Sequence, residues 1–320
     1  MSNASILLIK PGSMGDVIHS LPVVEAICGA QPGVRLSWVI DPRWAPLLEG
    51  NPGVSQQVLF PREFFRGPGG IVRAVGWYGG LGRLRPDMVL DLQGLLRSAL
   101  MARFSGGRAV YGLDDARECA GKFYDRCAKT VQPEHAVRRY LRILPLVGVP
   151  VPETCRFPLP PGVDPQLEKP YIVIHPFARG AGKSLESSHL LAFLDELRRK
   201  SDVSVVIAGV GQAPSALPAG VINLAGRTTL PELIGLLRGA RFVVSVDSGP
   251  MHLAAALGCP LLGIHTWSDP RCVGPYGTEA WIWQGGEVRR QDPGVAPHPE
   301  VPFTDDSARE IARFVAARGA

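Results

Sequence analysis

Short apolar runs alternate with longer amphipathic ones along most of the chain, and the alternation restarts once. In the first half, strand-like runs at Ile6–Lys10, Leu36–Asp41, Met88–Leu92 and Arg108–Tyr111 are separated by helix-like stretches at Val17–Ala30, Arg43–Glu49 and Leu95–Phe104. The pattern resumes with strands at Tyr171–His175, Val203–Ala208, Val221–Leu224, Phe242–Val246 and Leu261–His265, and helices at Ser188–Lys200, Leu230–Arg238 and Met251–Leu257. Strands alternating with helices imply βαβ units, hence parallel sheets covered by helices on both faces. Between Pro150 and Pro170 the periodicity stops and seven prolines occur. Such a stretch continues neither a helix nor a central strand and reads as a linker. The fold class predicted is α/β, with two doubly wound, Rossmann-like parallel-sheet domains over residues 1–155 and 156–305. The last segment, 306–320, is an amphipathic helix whose pattern suits either half; a return to the N-terminal domain is the expectation.

Two strand-to-helix turns stand out against this background. Lys10-Pro11-Gly12-Ser13-Met14-Gly15-Asp16-Val17-Ile18-His19 follows the first strand, and Asp247-Ser248-Gly249-Pro250-Met251-His252 follows Phe242–Val246. Turns of this kind point backbone N–H groups at an anion. A pair of them suggests two nucleotide-fold halves facing one cleft.

Charge and cysteine usage narrow the classes. The 320 residues carry a net charge of +5 and a pI near 9.0, which suits an anionic small molecule or lipid headgroup as well as nucleic acid. The segment Phe60–Arg85 holds Arg62, Arg66, Arg73, Arg83 and Arg85 against Glu63 alone, interleaved with aromatics and glycines. It reads as a mobile basic loop or a solvated face. No recognition-helix, zinc-finger or stacking-platform signature accompanies that charge, so no nucleic acid is expected as a partner. Six cysteines without a C-x-x-C pair argue against a zinc cage or disulfide scaffold and for a reducing cytosol. No run reaches the roughly 18 apolar residues of a membrane span, so any membrane contact would be peripheral.

Three groups could carry chemistry. In the first, Asp16 either caps a helix or projects as a general base from a strand end, with Gly15 beside it and His19 one turn on. In the second, Phe177 to Ser184 match the phosphate-loop pattern G-x-x-x-x-G-K-[ST] except that Phe177 stands at the first glycine. Without a Walker B strand this is a poor ATPase, but Arg179 and Lys183 either neutralise a diphosphate or lie on a solvated surface. In the third, Asp247, Ser248 and Gly249 with His252 either cap a helix or hold a phosphate or sugar hydroxyls. A hydrolase triad lacks its G-x-S-x-G elbow, and neither D-x-D nor H-E-x-x-H is present to suggest a metal site.

At these residues the chain resembles the bacterial lipopolysaccharide heptosyltransferases of glycosyltransferase family 9, most closely the heptosyltransferase I type. The similarity rests on Ser13–Pro22, Asp91-Leu92-Gln93-Gly94-Leu95-Leu96-Arg97-Ser98-Ala99, Ala116-Arg117-Glu118, His135-Ala136-Val137-Arg138-Arg139 and Phe242–Leu253. It implies a GT-B arrangement of two Rossmann-like domains, the first binding acceptor and the second donor across an interdomain cleft. It also implies inverting, metal-independent transfer of L-glycero-D-manno-heptose from ADP-heptose to the Kdo of a lipid A–Kdo acceptor, with no cofactor. Asp16 would then be the base. Arg179, Lys183, Ser184, Glu232, Asp247, Ser248, Gly249 and His252 would line the donor site. Gly15, His19, Arg62, Arg66 and Arg117 would serve the anionic acceptor, and the enzyme would sit in the cytoplasm, peripheral on the inner membrane. The chain departs from the family where two threonines usually follow His-x: here Phe177-Ala178 stand, one extra residue precedes Lys183, and Leu185-Glu186 follow Ser184. The family's hydroxyl contacts to the diphosphate are then either missing or replaced by Ser184 or backbone amides. This leaves open a related inverting GT-B enzyme with another nucleotide sugar, or a non-catalytic nucleotide-sugar-binding protein.

Overall fold

The computed structural model describes residues 4–319 other than 61, 66, 68, 181, 278, 279 and 300. The chain divides into two compact units, Met1–Gln132 with Ala136–Pro160, and Pro133–His135 with Pro161–Ala320.

The first unit runs β1 (Ser5–Ile9), α1 (Met14–Ala30), β2 (Arg35–Ile40), β3 (Gln56–Leu59), α2 (Gly70–Leu81), β4 (Met88–Asp91), α3 (Leu96–Phe104), β5 (Ala109–Leu113), β6 (Arg126–Ala128) and α4 (Ala136–Leu141). Its strands lie in the order β3-β2-β1-β4-β5-β6, all parallel. Helices cover both faces, so the central strand is a continuous apolar run: Ile6, Leu7, Leu8 and Ile9 are buried. Strand order reverses between β1 and β4, the point where open α/β sheets bind ligands.

Two expectations change here. Arg43–Glu49 forms only a short 3-10 turn, Ala45–Leu48, with Pro46 in its first turn. The segment expected as a mobile loop, Phe60–Arg85, contains a 3-10 turn at Arg62–Phe65 followed by the helix α2. Its glycines hide a helical face built of aromatics. Trp77 stacks edge-on against Phe60 at 5.1 Å and donates its indole N–H to the Leu59 carbonyl at 2.8 Å, and Tyr78 meets Phe104 at 5.2 Å. The opposite face leaves Val72 and Val75 exposed. The short strands β3 and β6 and the helix α4 lie where no alternation is evident.

The second unit runs β7 (Tyr171–His175), α5 (Ser187–Lys200), β8 (Ser204–Ile207), β9 (Val221–Asn223), α6 (Leu230–Gly239), β10 (Phe242–Val246), α7 (Gly249–Ala256), β11 (Leu261–Ile264), α8 (Pro270–Val273), β12 (Ala280–Gln284), β13 (Glu287–Arg290) and α9 (Asp305–Gly319). Strand order is β13-β12-β11-β10-β7-β8-β9, with only the β12–β13 pair antiparallel. Here the order reverses between β7 and β10. The terminal helix α9 does not return to the first unit. Ala308, Ile311, Ala312 and Val315 join the core formed with Leu190, Leu194 and Leu197 of α5, Arg313 donates to Glu196 at 2.7 Å, and Phe314 packs on Trp281 at 4.8 Å. An apolar stripe of this kind docks wherever a complementary stripe is left open, and α5 supplies one.

Of the buried imidazoles in this unit, burial pushes His135 and His175 down to about 4 and His265 to about 3. A histidine depressed in the folded state stabilises it above the unfolded value near 6.5, and that contribution is lost as pH falls towards the folded value. With three such groups, stability of the second unit should fall steeply between pH 6 and pH 4, by up to about 4 kcal/mol per pH unit. Thermal melts from pH 7.5 to 4.5 check this; a melting temperature flat to pH 4.5 would contradict it.

Candidate functional site

In the first unit, chemistry gathers where the chain leaves β1 and β4. Lys10, one residue beyond β1, is buried and its Nζ donates to the Leu92 carbonyl at 3.0 Å, just past β4. The same Nζ lies 3.3 Å from Asp16 Oδ1 and 4.6 Å from the centre of the Tyr140 ring. Asp16, in the first turn of α1, accepts from the Tyr140 hydroxyl through Oδ1 at 2.6 Å, and from the Ser13 N–H and hydroxyl through Oδ2, each at 2.9 Å. Its side chain is nonetheless 35% exposed. Burial alone would raise the Asp16 pKa; the Lys10 ammonium, the Tyr140 hydroxyl and Ser13 outweigh it and hold the carboxyl well below the usual carboxylate range. The result is a carboxylate held ionised at neutral pH and partly open to solvent at a sheet's switch point.

Behind it, Arg139 pairs with Asp115 through two hydrogen bonds of 2.5 and 2.6 Å. The Asp91–Ala99 motif is a scaffold. Asp91, fully buried, accepts from the Gln93 and Gly94 N–H groups and from the Ser98 and Tyr124 hydroxyls, and so shapes the loop beside Lys10.

In the second unit, the loops after β7 and β10 meet at the other switch point. Ser248, the residue before α7, stands 3.2 Å through Oγ from His175 Nδ1 and donates to the Val246 carbonyl at 3.0 Å. Gly249 opens α7, whose first N–H groups lack intrahelical partners. Asp247 lies 3.7 Å from His252 Nε2. Burial raises the Asp247 pKa, opposed by a hydrogen bond from Ser268 and the charge of Lys183. Lys183 lies with Nζ 3.5 Å from the centre of the Trp267 ring. Both line a cavity of about 680 Å³ with Leu185, His189, Thr266 and Phe303, a volume in the range of small-ligand sites.

The remaining expected residues are placed as follows. Ser184 closes its own loop, accepting from the Ala178 N–H at 2.9 Å and donating to the Ala178 carbonyl at 3.2 Å. Phe177 is buried in the core against Gly211, where a Cβ would approach its ring to 2.2 Å. It fills space and offers nothing to a phosphate. Arg179 is exposed on the same loop. Glu232 caps α6, its Oε2 accepting from the Thr229 N–H and hydroxyl at 2.7 and 2.8 Å, which lower its pKa. Gly15 and His19 are buried along α1. Arg62 lies in the 3-10 turn near Asp41, and the exposed Arg117 is tied by its N–H to the Gly94 carbonyl at 2.8 Å. Arg66 lies outside the described residues. Lys10 opens the first of the two turns that stand out in the sequence but has no role assigned there, while Tyr140 and Trp267 join the sites without a signal in the sequence: Tyr140 is 124 residues from Asp16, and Trp267 stands in no motif. Among the described residues no group of three His, Cys, Asp or Glu is placed to hold a metal ion.

Comparison with known proteins identifies the family. The model of glycosyltransferase family 9 (heptosyltransferase) matches residues 79–292. The chain is 30% identical over 295 residues to lipopolysaccharide heptosyltransferase 1 of Pseudomonas aeruginosa, covering 85% of this chain and 81% of that protein. It is 28% identical over 306 residues to lipopolysaccharide heptosyltransferase 1 of Escherichia coli K12, covering 87% and 92%. Among solved structures, E. coli heptosyltransferase WaaC with ADP aligns at a TM-score of 0.79 and 23% identity over 98% of this chain and 99% of that one. E. coli ADP-heptose lps heptosyltransferase II aligns at 0.73 and 20%, over 98% of each. These likenesses give the fold as GT-B, and the family match spans more than half of the sequence: the chain belongs to glycosyltransferase family 9, the heptosyltransferases.

Proposed function

We propose that this chain is an inverting heptosyltransferase of lipopolysaccharide core synthesis, moving L-glycero-D-manno-heptose from ADP-heptose to the Kdo of a lipid A–Kdo acceptor. The observation that carries the reading is the ionised, solvent-open Asp16 carboxylate at the β1/β4 switch point. In the reaction the acceptor hydroxyl oxygen bonds to the anomeric carbon, the bond from that carbon to the diphosphate oxygen breaks, ADP leaves, and the hydroxyl proton passes to Asp16. Inversion follows from attack opposite the leaving group.

On the donor side, Lys183, Arg179 and the N-terminus of α7 at Ser248 and Gly249 meet the diphosphate charge, with no metal required. Asp247 and His252 line the sugar end, and Glu232 keeps Oε1 for the nucleoside. The buried Phe177 means that backbone N–H groups replace the family's threonine hydroxyls. Arg62, Arg66 and Arg117, with Gly15 and His19, serve the anionic acceptor. Among the described residues no helix is long and apolar enough to cross a membrane. Exposed Val72 and Val75 flanking exposed Arg73 on α2 suit peripheral contact with the anionic cytoplasmic face of the inner membrane.

The test is mass spectrometry of deacylated Kdo-lipid A after incubation with enzyme and ADP-heptose, without added metal. A one-heptose gain is expected, with the anomeric configuration read by NMR. No gain despite ADP-heptose binding would make the chain a binder, and a gain only with another nucleotide sugar would change the donor. Lys183→Ala should weaken ADP binding about 10- to 100-fold, the worth of a charge-assisted hydrogen bond. Calorimetric titration with ADP checks it, and an unchanged Kd would remove Lys183 from the donor site.

A further inference from the structure

Asp16 is fully supplied with donors, and the two sides differ in exposure. A carboxylate offers about four lone-pair positions. Here Lys10 and Tyr140 converge on Oδ1, while the Ser13 N–H and hydroxyl converge on Oδ2. An acceptor hydroxyl can donate to Asp16 only where one of these gives way. The Lys10 side chain is 4% exposed and Tyr140 3%. Lys10 is also tied to the Leu92 carbonyl, and the Ser13 N–H is fixed by the backbone. Only the Ser13 hydroxyl is both exposed and free to rotate about a single bond.

We infer that Tyr140 is a positioning residue which, with Lys10, occupies Oδ1 and thereby makes Oδ2 the oxygen that takes the proton, and that the Ser13 hydroxyl marks the place the acceptor hydroxyl enters. This rests on Asp16 being the base. Arg139, whose charge also acts on Asp16, has Nε and Nη2 engaged by Asp115 and hydrogen-bonds the Tyr140 hydroxyl, so it backs that hydroxyl as it donates to Oδ1. Losing the Tyr140 hydroxyl leaves Oδ1 open to water and to a second, misdirected hydrogen bond.

The experiment compares steady-state kinetics of Tyr140→Phe and Ser13→Ala with the native enzyme, kcat being expressed per ADP-binding site so that misfolded protein does not count. Tyr140→Phe should lower kcat about tenfold while acceptor KM and ADP Kd stay within twofold. Ser13→Ala, relieved of the competing donor, should raise kcat/KM for the acceptor about threefold. An unchanged kcat in Tyr140→Phe, or a KM that rises with the loss, overturns the positioning role. An equal or lower kcat/KM in Ser13→Ala overturns the assignment of the yielding donor, and this variant leaves the packing of Tyr140 intact should Tyr140→Phe not fold. Full activity in Asp16→Asn would instead remove the base itself, a separate failure.

Discussion

Asp16→Asn should lower turnover by about a thousandfold or more, within the range general-base removal produces, while ADP binding by the second unit stays unchanged. Asparagine keeps the size and one acceptor oxygen but cannot take a proton. It also leaves the buried Lys10 ammonium without its counter-charge, so a loss of a few kcal/mol in the first unit should accompany the kinetic defect. Because the folded-state pKa of Asp16 lies below that of a free carboxyl, its stabilising contribution is complete at neutral pH and lost only in strong acid. Asp16 should therefore put no acid limb into the kcat profile between pH 5 and pH 8. A strongly held carboxylate is a weak base, yet it suffices for the proposed mechanism. The hydroxyl becomes acidic only as its oxygen bonds to the electron-poor anomeric carbon, so the proton leaves late and the carboxylate need only be ionised and in line. Single-turnover product formation with saturating donor, beside calorimetric ADP binding, separates the two effects. Residual turnover within tenfold of the native enzyme would place the base elsewhere.

The two sheets, the proline-rich break and both strand-to-helix turns were legible because each depends on local signals: apolar runs, turn residues and the residue types at strand ends. Asp16 was legible as a position but not in its chemistry, since helix cap and base share one spacing. The structure shows the cap, Asp16 accepting from the Ser13 N–H; the proposed base role draws besides on Lys10 and Tyr140, and Tyr140 reaches Asp16 only through the packing of α4 on α1. Phe177 shows the same limit from the other side. It occupies a phosphate-loop position in sequence, yet its ring belongs to the core, which only the approach of Gly211 explains. The helix α2 was obscured by glycines that lower helix propensity, while its own Trp77 and Tyr78 are anchored by Phe60 and Phe104 from elsewhere in the unit. For α9 the stripe was readable and its partner was not, because an amphipathic stripe encodes that it is buried and not against what.

Asp91→Ala should be the most destabilising single change near the site, although Asp91 touches no reacting group. The carboxylate is fully buried and accepts four hydrogen bonds: 2.9 and 3.1 Å from the Gln93 and Gly94 N–H groups, 2.8 and 2.7 Å from the Ser98 and Tyr124 hydroxyls. Alanine would strand four donors where water does not reach, and each unsatisfied donor costs about 1–3 kcal/mol before relaxation. The hydroxyls can turn towards other acceptors, whereas the two backbone donors cannot without reshaping the loop. The net loss should be about 3–5 kcal/mol, the range seen when a buried polar network loses its hub. For a unit of this size that is roughly a 10 °C fall in the melting temperature. Leu92, beside this loop, supplies the carbonyl that holds Lys10, so kcat should fall as well, with donor binding intact. Asp91→Asn keeps an acceptor for the backbone pair and should lose less than half as much stability. Calorimetry with both variants tests the account: equal losses would mean that charge, and not the satisfaction of the loop's N–H groups, holds this corner of the site.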